Sequence, residues 1–587
     1  MTEYFTILID RGFPRGSMST SSVTIALVLF ARSVAALRAA PDASLPRLHF
    51  LCGNQYALYS AFLDARAQRP LCDNEACTKS HRSADLFGSG QNSLRLLMMG
   101  SGTSWSGIAN HNAFSCVVEY PGKPRLVIPG HHMPIREGHN KRVNGALLSC
   151  PLPQWLEWHA SMRVALRLND FAADPSECDD DAPLQTPMIR VGYVDDAQPS
   201  QPTVAVCLRP MYGEFSLERL AKLVEWLEIS RAQDVSEVIV YDNVSTVVDG
   251  VSRESDHSLS RLLAPWIEEG FVTVLPWHEP YSCGHNCGIW SAGQTTAHND
   301  CMYRLMNRHR WLLFVDVDEY VWSRASKSLP AISRALELEA QPTAAGGVVS
   351  SFVLPHYYMC YASDAKGVAA ENAARKLGLP HTLSHDDLLP MLDVPNREHC
   401  GMKGGHTKNI VNPRLLIEMG VHVPHIHAAP LVRIAHHRAN QTRVASAFLH
   451  HYRRGMAVAR CAAKRVPPDY TMRPFLPAVV NRTLEKLRAI LAAPATRALL
   501  VLETYYASTG NAGDTGQAEL QTLRGKMATT TKAEPKPVRF RSTVIALLFG
   551  TALVIATLLY RSFTRLRNRF PRHSQRSRFQ RQEVRGH

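Results

Sequence analysis

The sequence predicts an α/β protein: a mostly parallel sheet covered by helices, preceded by a β-rich segment and followed by a transmembrane helix. Three observations carry that class. Strand-like and helix-like runs alternate from residue 203 to 465, the pattern of strands joined by crossover helices. The run Trp311-Leu312-Leu313-Phe314-Val315 is apolar without interruption, as in a parallel strand buried on both faces. Ser542 to Tyr560 is nineteen residues without a charge, bounded by Arg541 and Arg561, long enough to cross a bilayer.

The bulk numbers agree. A chain of 587 residues exceeds one hydrophobic core and predicts several domains. The net charge of +14 suggests nucleic acid until it is located. Nine Arg and one Glu follow from Arg561 onward, so the tail holds +8 and the remainder only +6. Nothing in the body interleaves basic and aromatic residues, which excludes a nucleic-acid surface. Thirteen cysteines point to an oxidising compartment, and an odd count leaves one thiol unpaired or intermolecular. Cys207, inside an apolar run, reads as a buried thiol.

Along the chain, residues 1–40 hold the short apolar core Val23–Ala31 followed by small residues, which reads as a signal peptide or a signal anchor. Residues 41–195 form a β-rich accessory domain. Ala113–Tyr120 and Arg125–Pro129 flank Pro121-Gly122-Lys123-Pro124 as a hairpin, and Met188–Val194 is a further strand. Trp155 and Trp158 there read as core aromatics, with sugar platforms as the alternative. Residues 196–465 are the α/β domain. Its buried strands are Thr203–Leu208, Glu237–Tyr241, Phe271–Leu275 and the Trp311 run. Ser216–Ser230 carries Leu217, Leu220, Leu223, Val224 and Leu227 at helical spacing, and His298–His309 is a second helix. Residues 466–541 read as a helical stem and linker. The span 542–560 then places the basic tail 561–587 in the cytosol by the positive-inside rule. The body is thereby expected across the membrane, in the Golgi or another secretory compartment, on a single-pass protein.

The chemistry lies where the Trp311 run breaks into Asp316-Val317-Asp318-Glu319. Side chains alternate along a strand, so Asp316 and Asp318 point the same way while Val317 points back into protein. Two carboxylates at the carboxyl end of a buried strand can hold a hard divalent cation and leave room for phosphate oxygens. A second D-x-D, Asp179 with Asp181, has no apolar run before it and a proline after it; it reads as a solvated loop. The ends of the other strands supply Arg209, Tyr212 and Asp242 to the same edge.

These residues recur in an order that resembles glycosyltransferase family 92. The run begins at Cys207-Leu208-Arg209-Pro210-Met211-Tyr212-Gly213 and passes through Tyr241-Asp242-Asn243, Pro276-Trp277 and Asn299-Asp300-Cys301-Met302-Tyr303-Arg304. It continues through Phe314-Val315-Asp316-Val317-Asp318-Glu319-Tyr320, then Lys408-Asn409-Ile410-Val411-Asn412-Pro413, Met419-Gly420-Val421-His422 and His451-Tyr452-Arg453. The resemblance implies a GT-A nucleotide-sugar transferase domain, a donor such as UDP-galactose, a glycan acceptor and an inverted, β-linked product. It implies Mn²⁺ or Mg²⁺ on Asp316 and Asp318, with His422 as third ligand, and phosphate contacts from Lys408 and Arg453. Asp242, Asp300 and Arg304 are candidate donor contacts, the last two being four apart on one helix face. An inverting transfer needs a carboxylate base; Glu398 is the first candidate, with Asp386 and Asp387 behind it. The competing expectation is a lectin-like surface protein with a decayed transferase domain, against which the intact Asp316, Asp318 and His422 stand.

Overall fold

The computed structural model describes most of residues 48–492, leaving out chiefly 67–91, 102–112, 170–184, 244–258, 278–287, 361–397, 437–446 and 452–475. The signal segment, the linker, the 542–560 span, the basic tail, the Asp179–Asp181 loop, Asp386, Asp387 and Arg453 lie outside the described residues.

The first domain is a barrel. Its strands are β1 (His49–Leu51), β2 (Tyr56–Asp64), β3 (Ser93–Ser101), β4 (Phe114–Glu119), β5 (Leu126–Pro134), β6 (Val143–Pro151), β7 (Arg163–Leu168) and β8 (Ile189–Val194). The order is β1-β2-β3-β6-β5-β4-β7-β8, and β8 returns to pair with β2. That pairing is parallel and runs from Ala61↔Val191 to Asp64↔Val194. β4 and β5 form the expected hairpin. Inside lie Leu58, Leu63, Leu94, Leu96, Phe114 and Leu148, with the Cys116–Cys150 disulfide joining β4 to β6. β2 is buried at every position, which a half-solvated strand would not be. The reason is that its outward residues Tyr59 and Phe62, with Leu97, Met99 and Leu147 of β3 and β6, are covered by the second domain. Trp155 and Trp158 depart from the expected core placement. They lie between β6 and β7 and are 56% and 40% exposed, with Trp158 against Tyr193.

The second domain begins with β9 (Val204–Leu208), β10 (Met211–Tyr212), helix α1 (Leu217–Ala232), β11 (Glu237–Asn243), the short helices α2 (Leu259–Leu262) and α3 (Ala264–Glu268), and β12 (Val272–Pro276). α4 (Gln294–Leu305), β13 (Trp311–Val315), β14 (Glu319–Trp322), α5 (Leu329–Glu339), β15 (Val349–Leu354), β16 (His356–Cys360) and β17 (Glu398–Gly401) follow. Then come β18 (Lys408–Val411), β19 (Leu416–Met419), β20 (Pro424–His427), β21 (Arg433–His436), β22 (Phe448–His451) and α6 (Leu476–Leu491).

The main sheet runs β11-β9-β13-β18-β15-β21, with β12 on the outer edge of β11. β12, β11, β9 and β13 are mutually parallel, and β18 is antiparallel to β13. Alternation divides each central strand between two cores. Val204, Val206, Leu208, Trp311, Leu313 and Val315 face α1, α5 and α6, whereas Ala205, Cys207, Leu312 and Phe314 face α4 and the barrel. Cys207 is not a free buried thiol: it is bonded to Cys301 of α4. α6 carries Val479, Leu484, Leu487 and Leu491 into the core beside α1, so this helix belongs to the domain and not to a stem. A smaller sheet, β14-β22-β16-β17, lies beyond the carboxyl end of β13.

The two domains share buried polar contacts as well as apolar ones. Arg66, at the end of β2, bonds Asp64 and reaches the carbonyls of Arg414 and Leu416 at 2.9 and 2.7 Å. Tyr59 Oη donates to Pro276 O at 3.0 Å, and Val143 N donates to Gly288 O at 2.7 Å.

Candidate active site

β13 stops at Val315, and Asp316 to Asp318 form a turn closed by Glu319 N donating to Asp316 O at 3.0 Å. The carboxylates are therefore brought together by a turn rather than by strand alternation, while Val317 packs back onto the core. Glu319 opens β14, and its Oε2 accepts Asp316 N at 2.8 Å.

Cations and imidazoles surround this turn. Lys408, first residue of β18 and almost wholly buried, places Nζ 3.1 Å from Asp316 Oδ2 and 3.2 Å from Glu319 Oε2. Arg209, where β9 ends, sets Nε 3.5 Å from Asp316 Oδ1 and lies over the Tyr212 ring. His451, last residue of β22, sits opposite Glu319 in the small sheet. Its Nε2 is 3.2 Å from Asp318 Oδ2, and its Nδ1 is 2.7 Å from His356 Nε2 and 3.6 Å from Glu319 Oε1.

Burial opposes the charge of Asp316, but the Lys408 and Arg209 charges outweigh it and hold its carboxyl well below the usual range. Asp318 is likewise lowered against burial, by its hydrogen bond to His451. Glu319 goes the other way: burial, with Asp316 close by, pushes it up despite Lys408. His451 is raised, because the hydrogen bond and charge of Asp318 overcome its burial.

Asp316 Oδ1 and Asp318 Oδ1 are buried and accept no hydrogen bond. Buried carboxylate oxygens without donors are costly, and here both belong to one turn beside an imidazole. Oxygen and imidazole donors of this kind suit a divalent cation. The ligand atoms that converge, all within 4.8 Å of one another, are those of Glu319, His356 and His451; His451 Nε2 ties that group to Asp318, beside the carboxylate pair expected from the sequence.

The other expected residues divide. Arg209, Tyr212 and Lys408 gather around the turn. Asp242 is buried at the end of β11, where Oδ2 accepts Leu259 N at 2.9 Å. Asp300 and Arg304 do not line this site. Asp300 is fully buried and accepts Ser60 Oγ of the barrel at 2.5 Å, Tyr241 Oη at 2.6 Å and Arg304 Nε at 2.5 Å. Arg304 lies over the barrel rings Tyr59 and Phe62. Their face of α4 meets the first domain, so the pair joins domains rather than gripping a donor. Glu398 begins β17, at the far edge of the small sheet. His422 is at the tip of the β19–β20 turn, and its Nδ1 donates to Thr407 O at 3.0 Å. The imidazole that meets Asp318 is instead His451. Its signal was present in the His-Tyr-Arg run, as Glu319's was in the Asp-Val-Asp-Glu run.

A parallel sheet whose central strand ends in paired carboxylates, backed by a small sheet carrying a histidine, defines a glycosyltransferase domain. Residues 202–489 match the model of glycosyltransferase family 92. The match covers a little under half of the chain and places a family 92 domain in these residues. It is similar to two galactan beta-1,4-galactosyltransferases of Arabidopsis thaliana, 27% and 24% identical over 217 residues, or 37% of this chain and 35% and 36% of theirs. It is 21% identical over 284 residues to a beta-1,4-galactosyltransferase of Caenorhabditis elegans, covering 48% of this chain and 54% of that protein. The chain thus matches about a third to a half of the length of these relatives. Among solved structures, glucosyl-3-phosphoglycerate synthase from Mycobacterium tuberculosis is 17% identical with a TM-score of 0.16, covering 37% of this chain and 58% of its own. That overlap is too loose to bear on the fold.

Proposed function

We propose that this chain is a GT-A transferase that moves galactose from a nucleotide-sugar donor to a glycan acceptor with inversion. The observation that carries this reading is the Asp316–Asp318 turn, with two buried oxygens that accept no hydrogen bond, next to His451. The names of the relatives support galactose. Asp316, Asp318 and His451 would hold Mn²⁺ or Mg²⁺, which, when bound, neutralises charge on the departing diphosphate. Lys408 fixes Asp316 and Glu319 from behind, so the carboxylates are oriented before any ligand arrives. Arg209 stands on the open side, a third of its side chain exposed, where it can meet phosphate oxygens. Tyr212, under that guanidinium, limits its swing. Glu398 remains the candidate base on the acceptor hydroxyl. The test is a donor screen by nucleotide release with the full chain and Mn²⁺. Release from UDP-galactose above other donors is expected; no release from any donor would refute the reading.

A secretory, membrane-anchored setting is part of the proposal. The Cys116–Cys150 and Cys207–Cys301 bonds support an oxidising compartment. No helix of the described residues is long and apolar enough to cross a membrane, and the proposed anchor is 542–560. A C-terminal tag should be cleaved by protease outside sealed vesicles; protection would reverse the orientation.

A further inference from the structure

The turn that carries His422 is built partly by the barrel. Between β19 and β20, Gly420 N donates to Val423 O at 3.0 Å and closes the loop. Asn299 of α4 grips its start through both amide atoms, donating to Met419 O at 2.7 Å and accepting Met419 N at 2.8 Å. Asn409, next to Lys408, donates its amide to His422 O. Thr407 O, on the other side of Lys408, accepts a hydrogen bond from His422 Nδ1. The remaining clamp comes from the first domain. Glu137, three residues after β5, accepts Val421 N with its Oε2, and the same oxygen is 3.7 Å from His425 Nε2. The other nitrogen of His425 is 2.9 Å from Glu418 Oε1, a side chain with no exposure. Packing is so close that a Cβ on Gly420 would stand 2.4 Å from Glu137 Oε2 and 2.6 Å from His425 Nε2.

The segment Thr407-Lys408-Asn409 is thus bonded to His422 at both ends, and its middle residue holds Asp316 and Glu319. A carbonyl accepts only, so Nδ1 of His422 carries a proton and donates. Whatever His422 does depends on where the turn stands, and the turn leans on Glu137.

We propose that Glu137 is a positioning residue of the transferase site: a barrel carboxylate that fixes the Met419–Pro424 turn and, through His422, the strand segment carrying Lys408. The functional half rests on the transferase reading above; the structural half does not. A carboxylate that merely glued two domains would change stability and nothing else.

The test uses the full chain with Glu137→Ala, Glu137→Gln and Gly420→Ala. Three quantities are measured: donor turnover split into kcat and KM, the Mn²⁺ midpoint, and hydrogen exchange of the peptide covering 416–427. Supporting partners of a site typically matter by about 10–100-fold. Glu137→Ala and Gly420→Ala should lower kcat or raise the Mn²⁺ midpoint by about tenfold, leave donor KM within about twofold, and speed exchange at 416–427 but not at 204–208. Glu137→Gln keeps an acceptor oxygen for Val421 N and should recover most of the loss. Unchanged exchange at 416–427 in Glu137→Ala overturns the clamp. Faster exchange with kcat and Mn²⁺ midpoint both unchanged overturns the positioning role. If the wild-type chain turns over no donor, the transferase reading falls, and exchange with Mn²⁺ affinity decides the assignment of Glu137.

Discussion

Asp300→Asn separates two roles that the sequence leaves together. In a donor site the change would weaken substrate binding. In the domain interface it should weaken the fold. The carboxylate is fully buried and takes three donors, one of them Ser60 from the other domain. Burial and the Asp300 charge push the Tyr241 phenol well up, so it stays a donor throughout the useful pH range. Removing one partner of a buried ion pair costs about 3–5 kcal/mol. Arg304 keeps a quarter of its side chain in solvent, which places this case at the low end, about 3 kcal/mol. With an m-value of roughly 3 kcal/mol per molar urea for a chain this large, the midpoint should fall by about 1 M. The assay is urea unfolding followed by tryptophan fluorescence, since Trp277 lies against Tyr59 and Tyr241 in the same interface. Donor KM, measured where both proteins are folded, should not move. An unchanged urea midpoint with a tenfold rise in KM would return Asp300 to the donor site and refute the interface reading.

Chelation with EDTA should abolish donor turnover. Asp318→Asn and His451→Ala should each raise the Mn²⁺ midpoint by about 10–100-fold, and His422→Ala run beside them decides which histidine matters. Lys408→Met removes the cation shared by Asp316 and Glu319 and leaves only Arg209 beside Asp316; the metal-free protein should lose roughly 3 kcal/mol, and Mn²⁺ should restore part of the melting temperature. Failure of Mn²⁺ to raise the melting temperature of this variant would count against a metal at that turn. For Asp64, burial raises the carboxyl pKa, but the Arg66 charge and hydrogen bonds bring it below its ordinary value. A lowered folded pKa gives stability that is present above the unfolded value near 4 and lost as pH falls through the folded one. The urea-midpoint gap between wild type and Asp64→Asn should therefore be full at pH 7 and shrink below about pH 4; a gap independent of pH would contradict it.

The α/β domain was legible because its strands are short apolar runs separated by helical spacing, and β9, β11, β12 and β13 lie within a residue or two of where the sequence puts them. The barrel was legible only as β-rich. Its closure depends on β2 meeting β8, a pairing some 130 residues apart that no local pattern encodes. The Asp316–Asp318 turn was found for a partly mistaken reason: apolar content marks the strand, but only backbone geometry shows it stopping at Val315. The four-residue spacing of Asp300 and Arg304 correctly made them neighbours. It said nothing about which neighbour covers that face of the helix. Histidines are harder still, since neither Val421-His422 nor His450-His451 carries a local pattern, and the two differ in what the fold sets opposite them.

The parallel return of β8 onto β2 has a consequence for biogenesis. Its last member, Val194, lies only ten residues before the first residue of β9. The ribosome therefore delivers a complete first domain before any strand of the main sheet exists. The wall formed by Tyr59, Phe62, Leu97, Met99 and Leu147 is then already standing, and α4 with the Cys207–Cys301 bond must assemble against it. The barrel is in this sense a cotranslational template, and a chain begun at residue 196 would emerge with that face of its sheet wet.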